Sequence, residues 1–145
     1  MRRARGERGA IGGVEVLPLG VLVFVGGLML AANAWAVVDA RLMAGTAARE
    51  AVRAFVEAPD GTTAELAGGA AARAAAEAHG ADPAAIDVGW QVDGSSFGRC
   101  ARVAATVRYE VAAFALPAAS FPIEAVATEV VDPHRDGLGG TGCGG

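Results

Sequence analysis

The hydrophobic positions of this chain follow three different spacings, and each spacing predicts a different kind of element. From Val16 to Val38 the chain runs for 23 residues without a charged side chain. As a helix, at about 1.5 Å per residue, this run would be about 34 Å long, which is enough to cross the hydrocarbon core of a bilayer. We therefore expect a transmembrane helix over residues 11–38, preceded by a basic cytoplasmic leader over residues 1–10.

After the apolar run, the spacing becomes that of an amphipathic helix. One face of this helix is expected to carry Val38, Gly45, Ala48, Val52, Phe55 and Val56. The other face would carry Asp39, Thr46, Arg49, Glu50, Arg53 and Glu57. The pattern predicts that the transmembrane helix continues without a break through residues 39–58, and that Pro59, Asp60 and Gly61 end it.

A second helix is expected to follow, and it ends close to a histidine. Thr62 and Thr63 are suitable N-cap residues, and the helix would reach about Ala78. The Gly68–Gly69 pair weakens it by about 1 kcal/mol per glycine relative to alanine. His79 lies at the predicted end, where the helix dipole favours a positive charge, so we interpret it as a helix-terminal residue and not as a ligand.

From residue 86 onwards apolar positions alternate with polar ones, which is typical of half-buried strands. The alternating apolar positions are Ile86, Val88, Trp90 and Val92 in the first strand and Ala101, Val103, Ala105, Val107, Tyr109 and Val111 in the second. A third strand is expected from about Ile123 to Val131. The three strands predict an antiparallel meander with one face in water, and the helix around Val52, Phe55 and Val56 would cover the other face.

The predicted fold class is therefore α+β. A long N-terminal transmembrane helix continues as an amphipathic helix, and a second short helix and a three-stranded antiparallel sheet follow. The small exported domain would occupy residues 59–135, with a flexible glycine-rich tail over residues 136–145. With 145 residues, the chain has room for only one small domain besides its anchor.

The distribution of charge predicts the orientation in the membrane. Arg2, Arg3, Arg5 and Arg8 precede the apolar run, so the positive-inside rule leaves the N-terminus in the cytoplasm and the C-terminal domain outside. The chain has a net charge of −4 and no basic cluster outside the leader, so we expect no nucleic-acid partner. All 12 basic residues are arginine, which is typical of a G+C-rich bacterial genome.

Cys100 and Cys143 are the two cysteines of the chain, and both fall in the predicted exported part. Because that side of the membrane is oxidising, one outcome is a disulfide between them. The other outcome is that they stay unpaired or bond to another chain. The sequence leaves both outcomes open.

Few residues of this chain suggest catalysis. His79 and His134 are isolated, and the sequence contains no metal-ligand spacing, phosphate-binding glycine loop or nucleophile elbow. Asp132 and Asp136 flank His134, but a solvated C-terminal loop explains these residues better than a metal site. We therefore expect a protein that is not an enzyme and that has no cofactor.

Glu15 is the unusual residue, because it puts a carboxylate directly before the apolar run. A charged group within the hydrocarbon region costs about 2.5–3.5 kcal/mol at the helix centre and less near the interface. In one interpretation Glu15 lies among the headgroups and pairs loosely with Arg8. In the other it forms an intermolecular ion pair with an α-amino group or an arginine of a neighbouring helix within an assembly.

The N-terminal third resembles the TadE-like proteins of tight-adherence (Tad) pilus systems. The resemblance covers about the first 55 residues and is carried by Arg5-Gly6, Val14-Glu15, Leu17-Pro18, the apolar run and the segment 47–53. It implies a minor pilin or pseudopilin that inserts through its hydrophobic helix. The partners would then be the membrane, other pilin-like or Tad assembly subunits and a prepilin peptidase, with Glu15 helping to register the subunits.

The resemblance also implies a processing site in the leader. In pilin-like proteins the peptidase cuts after a small residue, and the glutamate is the fifth residue of the mature chain. Counting back from Glu15 makes Ile11 the first mature residue and Ala10 the last leader residue. A cut after Gly9 would instead make Glu15 the sixth residue, and Val16 stands where the family often has an aromatic residue.

Two other functions fit the same sequence. The chain would be a plain bitopic envelope protein if its helix only anchored an extracytoplasmic binding domain. It would be a secreted protein if the apolar run were a signal peptide cut after Ala34 or Ala36. The length of the run argues against a signal peptide, because the hydrophobic region of such peptides has about 7–15 residues.

Overall fold

A computed structural model describes residues 16–93, 97–113, 119–139 and 143 of the chain. It contains two α-helices, a single turn of 3-10 helix at Pro83–Ala85, and three β-strands. The helices are α1 (Val16–Glu57) and α2 (Gly61–Ala78), and the strands are β1 (Asp87–Asp93), β2 (Arg102–Ala112) and β3 (Ser120–Val130). The α+β outline predicted from the sequence is therefore confirmed.

Helix α1 is continuous over 42 residues, from the apolar run into the domain. Its only proline is Pro18, in the first turn described, where the missing N–H group matters least. The helix ends at Glu57, two residues before Pro59, and the Nε atom of Arg53 donates to Glu57 Oε1 over 3.1 Å in its last turn. This hydrogen bond raises the pKa of Arg53.

Helix α2 is capped two residues before Thr62, the first cap that the sequence predicted. The N-cap residue is Asp60, whose carboxylate accepts hydrogen bonds from the backbone N–H groups of Thr62 and Thr63, both over 2.9 Å. The prediction that Thr62 and Thr63 cap the helix was therefore wrong, because both are already inside it. The Thr63 backbone hydrogen bond lowers the pKa of Asp60, and the helix ends at Ala78 with His79 as its C-cap.

The three strands form an antiparallel meander in the order β1-β2-β3, as the sequence predicted. The register pairs Trp90 with Ala105 and Val107 with Ala125. On the inner face Val103, Ala105 and Val107 are fully buried, because the helices cover them. The third strand starts three residues earlier than Ile123, the first residue predicted for it.

Both helices lie on the inner face of the sheet, with α1 over β2 and β3 and α2 alongside α1 and β1. The core contains Phe55, Val52 and Val56, as predicted, and the Phe55 ring stacks at 4.7 Å from that of Trp90. The predicted inner face of α1 was partly wrong, because Val38 is 51 % exposed. The face that packs is lined mainly by alanine, namely Ala40, Ala44, Ala47, Ala48 and Ala51, together with Met43.

Gly68 makes the close packing of the two helices and Trp90 possible. A Cβ atom at this position would lie 2.8 Å from the carbonyl oxygen of Ala51 and would overlap the Trp90 ring. At the neighbouring Gly69 a Cβ atom would meet only the end of the Arg73 side chain, at 3.3 Å. Although the sequence treats the two glycines as equivalent weak points, only Gly68 is required by packing.

The C-terminal segment folds back along the domain instead of leaving it. Val131 N–H donates to Ala101 O over 2.9 Å, and Arg99 N–H donates to Gly139 O over 3.1 Å. Cys100 and Cys143 form a disulfide, with their Cα atoms 5.2 Å apart. Of the two outcomes that the sequence left open, the structure has the intramolecular bond, and the tail is thereby attached to the start of β2.

Candidate functional site

The candidate functional surface of this protein is the first half of helix α1, defined here as the apolar segment Val16–Val38. Most of its large side chains are strongly exposed: Val16, Leu17, Leu19, Val21, Leu22, Val23, Phe24, Leu28, Leu30 and Trp35 are each at least 54 % exposed. The first buried residue of the helix is Ala40, at 7 % exposure. The apolar segment therefore projects from the domain.

The apolar segment is hydrophobic around its whole circumference. Successive residues of an α-helix differ by about 100°, so Leu22, Val23, Phe24 and Val25 point to four sides. All four are exposed, between 43 % and 71 %. A helix that is apolar on every side is stable only inside a protein or a membrane, and its most hydrophobic 18-residue window is 0 % buried by this chain.

Asn33 is the polar side chain of the apolar segment, and it is compatible with a hydrocarbon environment. Its Nδ2 atom donates to the carbonyl oxygen of Met29, one turn earlier, over 2.9 Å. Such a bond within the helix lowers the cost of taking an amide out of water. Two residues later, Trp35 is 76 % exposed, as expected of a side chain at the water interface of a bilayer.

The domain meets the apolar segment over its last turn. Ala36 and Val37 are half-buried and pack against the domain core. Asp39 and Arg41 are the first charged residues after the segment, and both are exposed. The uncharged run thus ends and charged residues begin within the same helical turn, although Leu42 is still 64 % exposed. The boundary between an apolar and an aqueous environment therefore falls at about residue 38.

The residues predicted to act in assembly lie outside the described part of the chain. These are Glu15 and the processing-site residues Gly9, Ala10 and Ile11. The apolar segment begins at the residue next to Glu15. The exposed apolar segment therefore lies directly beside Glu15, and a neighbouring helix that binds Glu15 would also contact this segment.

A group of charged residues on the strands forms ion pairs at the surface of the domain. A surface depression of about 270 Å³ is lined by Asp87, Arg108, Glu110 and Glu124 among others. Arg108 Nε lies 3.1 Å from Glu124, and its Nη1 lies 3.8 Å from Asp87. Within the described ranges no three His, Cys, Asp or Glu residues stand close enough to hold a metal ion.

One structural residue was missed by the sequence analysis. Arg135, in the C-terminal segment, donates hydrogen bonds to the carbonyl oxygens of Val56 and Glu57. No sequence pattern indicates this contact, because it joins residues 79 and 78 positions apart. It fixes the end of α1 to the last segment of the domain.

Comparison with known proteins identified no relative. No protein-family model matches the chain, and neither a curated protein nor a solved structure matches it. The function has to be argued from the chain's own residues and geometry.

Proposed function

We propose that this protein is a minor pilin or pseudopilin of a Tad-type pilus or a related secretion machine. It inserts into the membrane through the apolar segment and meets neighbouring subunits along the same helix. The observation that carries the proposal is the single helix Val16–Glu57, which is apolar and exposed in its first half and packed on the sheet in its second.

The continuity of this helix supports a role in assembly. A bitopic protein that only needs an anchor can join its span to its domain by any linker. In this chain Ala36 to Phe55 belong to one helix that contacts the sheet and α2. The span and the domain are therefore joined rigidly. A rigid connection lets a contact made in the membrane fix the orientation of the domain outside it.

The resemblance of the N-terminal third to TadE-like proteins supports the identity of the partners. In that family Glu15 corresponds to the glutamate that helps to register pilin-like subunits. An unpaired carboxylate at the edge of the hydrocarbon is unfavourable, and a positive group of a neighbouring subunit would neutralise it. The partners would be other pilin-like or Tad assembly subunits, with a prepilin peptidase acting on the leader.

The disulfide supports an orientation with the domain outside the cytoplasm. Structural disulfides persist in oxidising compartments and are rare in the cytosol. Together with the four arginines before the apolar segment, the Cys100–Cys143 bond favours a cytoplasmic N-terminus and an extracytoplasmic domain.

The direct test of assembly is the variant Glu15→Ala in cells that produce the native machine. We expect the variant to remain in the membrane fraction but to lose co-purification with the other pilus subunits, because only the intermolecular ion pair is removed. Asp39→Ala is the matched control: it deletes an exposed carboxylate at the opposite end of the same segment and should co-purify normally.

Each result decides between functions. If Glu15→Ala co-purifies like the unchanged protein, Glu15 has no role in assembly. If the unchanged protein itself has no pilin-like partner, the chain is a bitopic envelope protein with a small extracytoplasmic domain. If the unchanged protein is recovered outside the membrane without its apolar segment, the segment is a signal peptide.

A further inference from the structure

We infer that the domain makes a second contact with the bilayer, through the end of the sheet where β2 finishes and β3 starts. This end is defined by the described residues Val111–Ala113 and Ala119–Pro122. Its proposed occupant is the phospholipid interface of the same bilayer that the apolar segment spans. The inference therefore rests on membrane insertion, but it does not depend on the pilus partners.

The chain topology brings this end of the sheet to the level of the membrane surface. Val111 lines a depression of about 210 Å³ together with Ala36, Asp39 and Ala40 of α1. In the register of the sheet Val111 is paired with Phe121. The start of β3 consequently lies at the height at which α1 leaves the domain.

The length of the apolar segment places this end of the sheet at the outer boundary of the hydrocarbon core. A hydrocarbon core of about 30 Å is crossed by about 20 helical residues. A span that starts at Val16 therefore ends near Trp35 and Ala36, which is the turn of α1 next to Val111. The sheet end and the outer boundary of the hydrocarbon thus coincide.

The chemistry of this sheet end fits an interface. None of its described residues, Val111–Ala113 and Ala119–Pro122, is charged. Phe121 is 45 % exposed although it is a large apolar residue, and Ala112 and Pro122 are also exposed. An aromatic ring exposed beside small apolar residues suits the boundary between acyl chains and headgroups.

The nearest charged residue of β2 is Glu110, which directly precedes Val111 in the strand. Glu110 is paired with Pro122, and its Oε2 atom accepts a hydrogen bond from Ser120 Oγ over 3.0 Å. Arg108 and Glu124, which form an ion pair, come two residues above that level. At about 3.3 Å per strand residue, these groups would lie among the headgroups while Phe121 reaches the acyl chains.

Tryptophan quenching by brominated lipid tests the inference. The full-length protein is reconstituted into phosphatidylcholine vesicles, with Trp35→Phe as the background and the half-buried Trp90 left in place. Phe121→Trp is compared with the control Val126→Trp, which lies on the same strand, is 59 % exposed, and points away from the helices. Both variants are measured with lipid brominated near the headgroup end of its acyl chains.

We expect a blue-shifted emission and a strong loss of fluorescence for Phe121→Trp, while Val126→Trp loses no more than the background. Equal quenching of the two variants in vesicles that hold the protein would overturn the second contact and leave the membrane span intact. Co-flotation with the vesicles after carbonate extraction is scored separately. Protein that fails to float would overturn membrane insertion itself, and the present inference with it.

Discussion

The guanidinium of Arg135 donates a hydrogen bond to the carbonyl oxygen of Glu57, with 2.6 Å between Nη2 and the oxygen. A second hydrogen bond from the same group reaches Val56 O. The last carbonyl groups of a helix have no partner within the helix, and a positive charge there also interacts favourably with the helix dipole. Arg135 therefore caps α1 from the C-terminal segment and couples the two ends of the domain.

Arg135→Ala should lower the free energy of unfolding of the domain by about 1.5–3 kcal/mol, the usual contribution of a hydrogen bond to a charged group. Arg135→Lys keeps the charge but loses the planar fork of the guanidinium. Its free energy of unfolding should therefore lie between those of the unchanged protein and Arg135→Ala. Urea unfolding of the full chain in detergent micelles measures both. No loss for Lys would mean that the fork geometry is not used, and no loss for Ala would refute the cap.

Gly68→Ala should destabilise the domain although alanine favours helix. The gain in helix propensity is about 1 kcal/mol, but the new methyl group has to displace the Trp90 ring and approaches Ala51 O to 2.8 Å. Overpacking of this kind costs about 1–3 kcal/mol. The matched control Gly69→Ala meets only a mobile arginine side chain and should raise the melting temperature. A Gly68→Ala variant as stable as the unchanged protein would contradict the close packing of α2 on Trp90.

Asp60 should make part of the stability depend on pH. Its pKa in the folded protein is lowered, mainly by the Thr63 backbone hydrogen bond. Its contribution is therefore complete above the unfolded pKa of about 3.9 and is lost as the pH falls through the lower, folded value. Asp60→Asn keeps a neutral cap, so the stability difference between the two proteins should change only below about pH 4. A difference that is constant from neutral pH to acid would refute the cap.

The disulfide should stabilise the folded domain, and it should be found oxidised if the domain lies outside the cytoplasm. Cys100 and Cys143 are 43 residues apart, so opening the bond should cost up to about 4 kcal/mol in the chain-entropy account. Cys143→Ser should therefore lower the melting temperature and expose Cys100 to thiol reagents. In intact cells the unchanged protein should resist alkylation until a reductant is added. Full alkylation of freshly isolated protein without reductant would contradict the disulfide.

The strands were predictable because burial on one face leaves an alternating pattern. Val88, Trp90 and Val92 alternate with polar residues, so β1 was found to within one residue of its start. The inner face of α1 was harder to predict, because alanine occurs on every side of this helix. Hydrophobicity alone could not distinguish the buried Ala44 and Ala47 from exposed positions.

The groups that cap the two helices were not predictable. Asp60, Thr62 and Thr63 are all good caps, and only the backbone geometry at Asp60 selects the one that is used. Arg135 carries no signal of its partner, because its target is a pair of backbone carbonyl groups. The exposed apolar segment was evident from its length and composition, whereas the pairing of Val111 with Phe121 beside Ala36 required the fold.

The most direct test of the central claim is the intact mass and N-terminal sequence of the protein recovered from the membranes of its native cells. Our account predicts that the mature chain keeps the whole apolar segment and begins at Ala10 or Ile11, next to the candidate processing site. A chain that begins at Met1 would keep the anchor without prepilin-type processing. A chain that begins at Trp35 or Val37 would contradict the account, because the apolar segment would then be a discarded signal peptide.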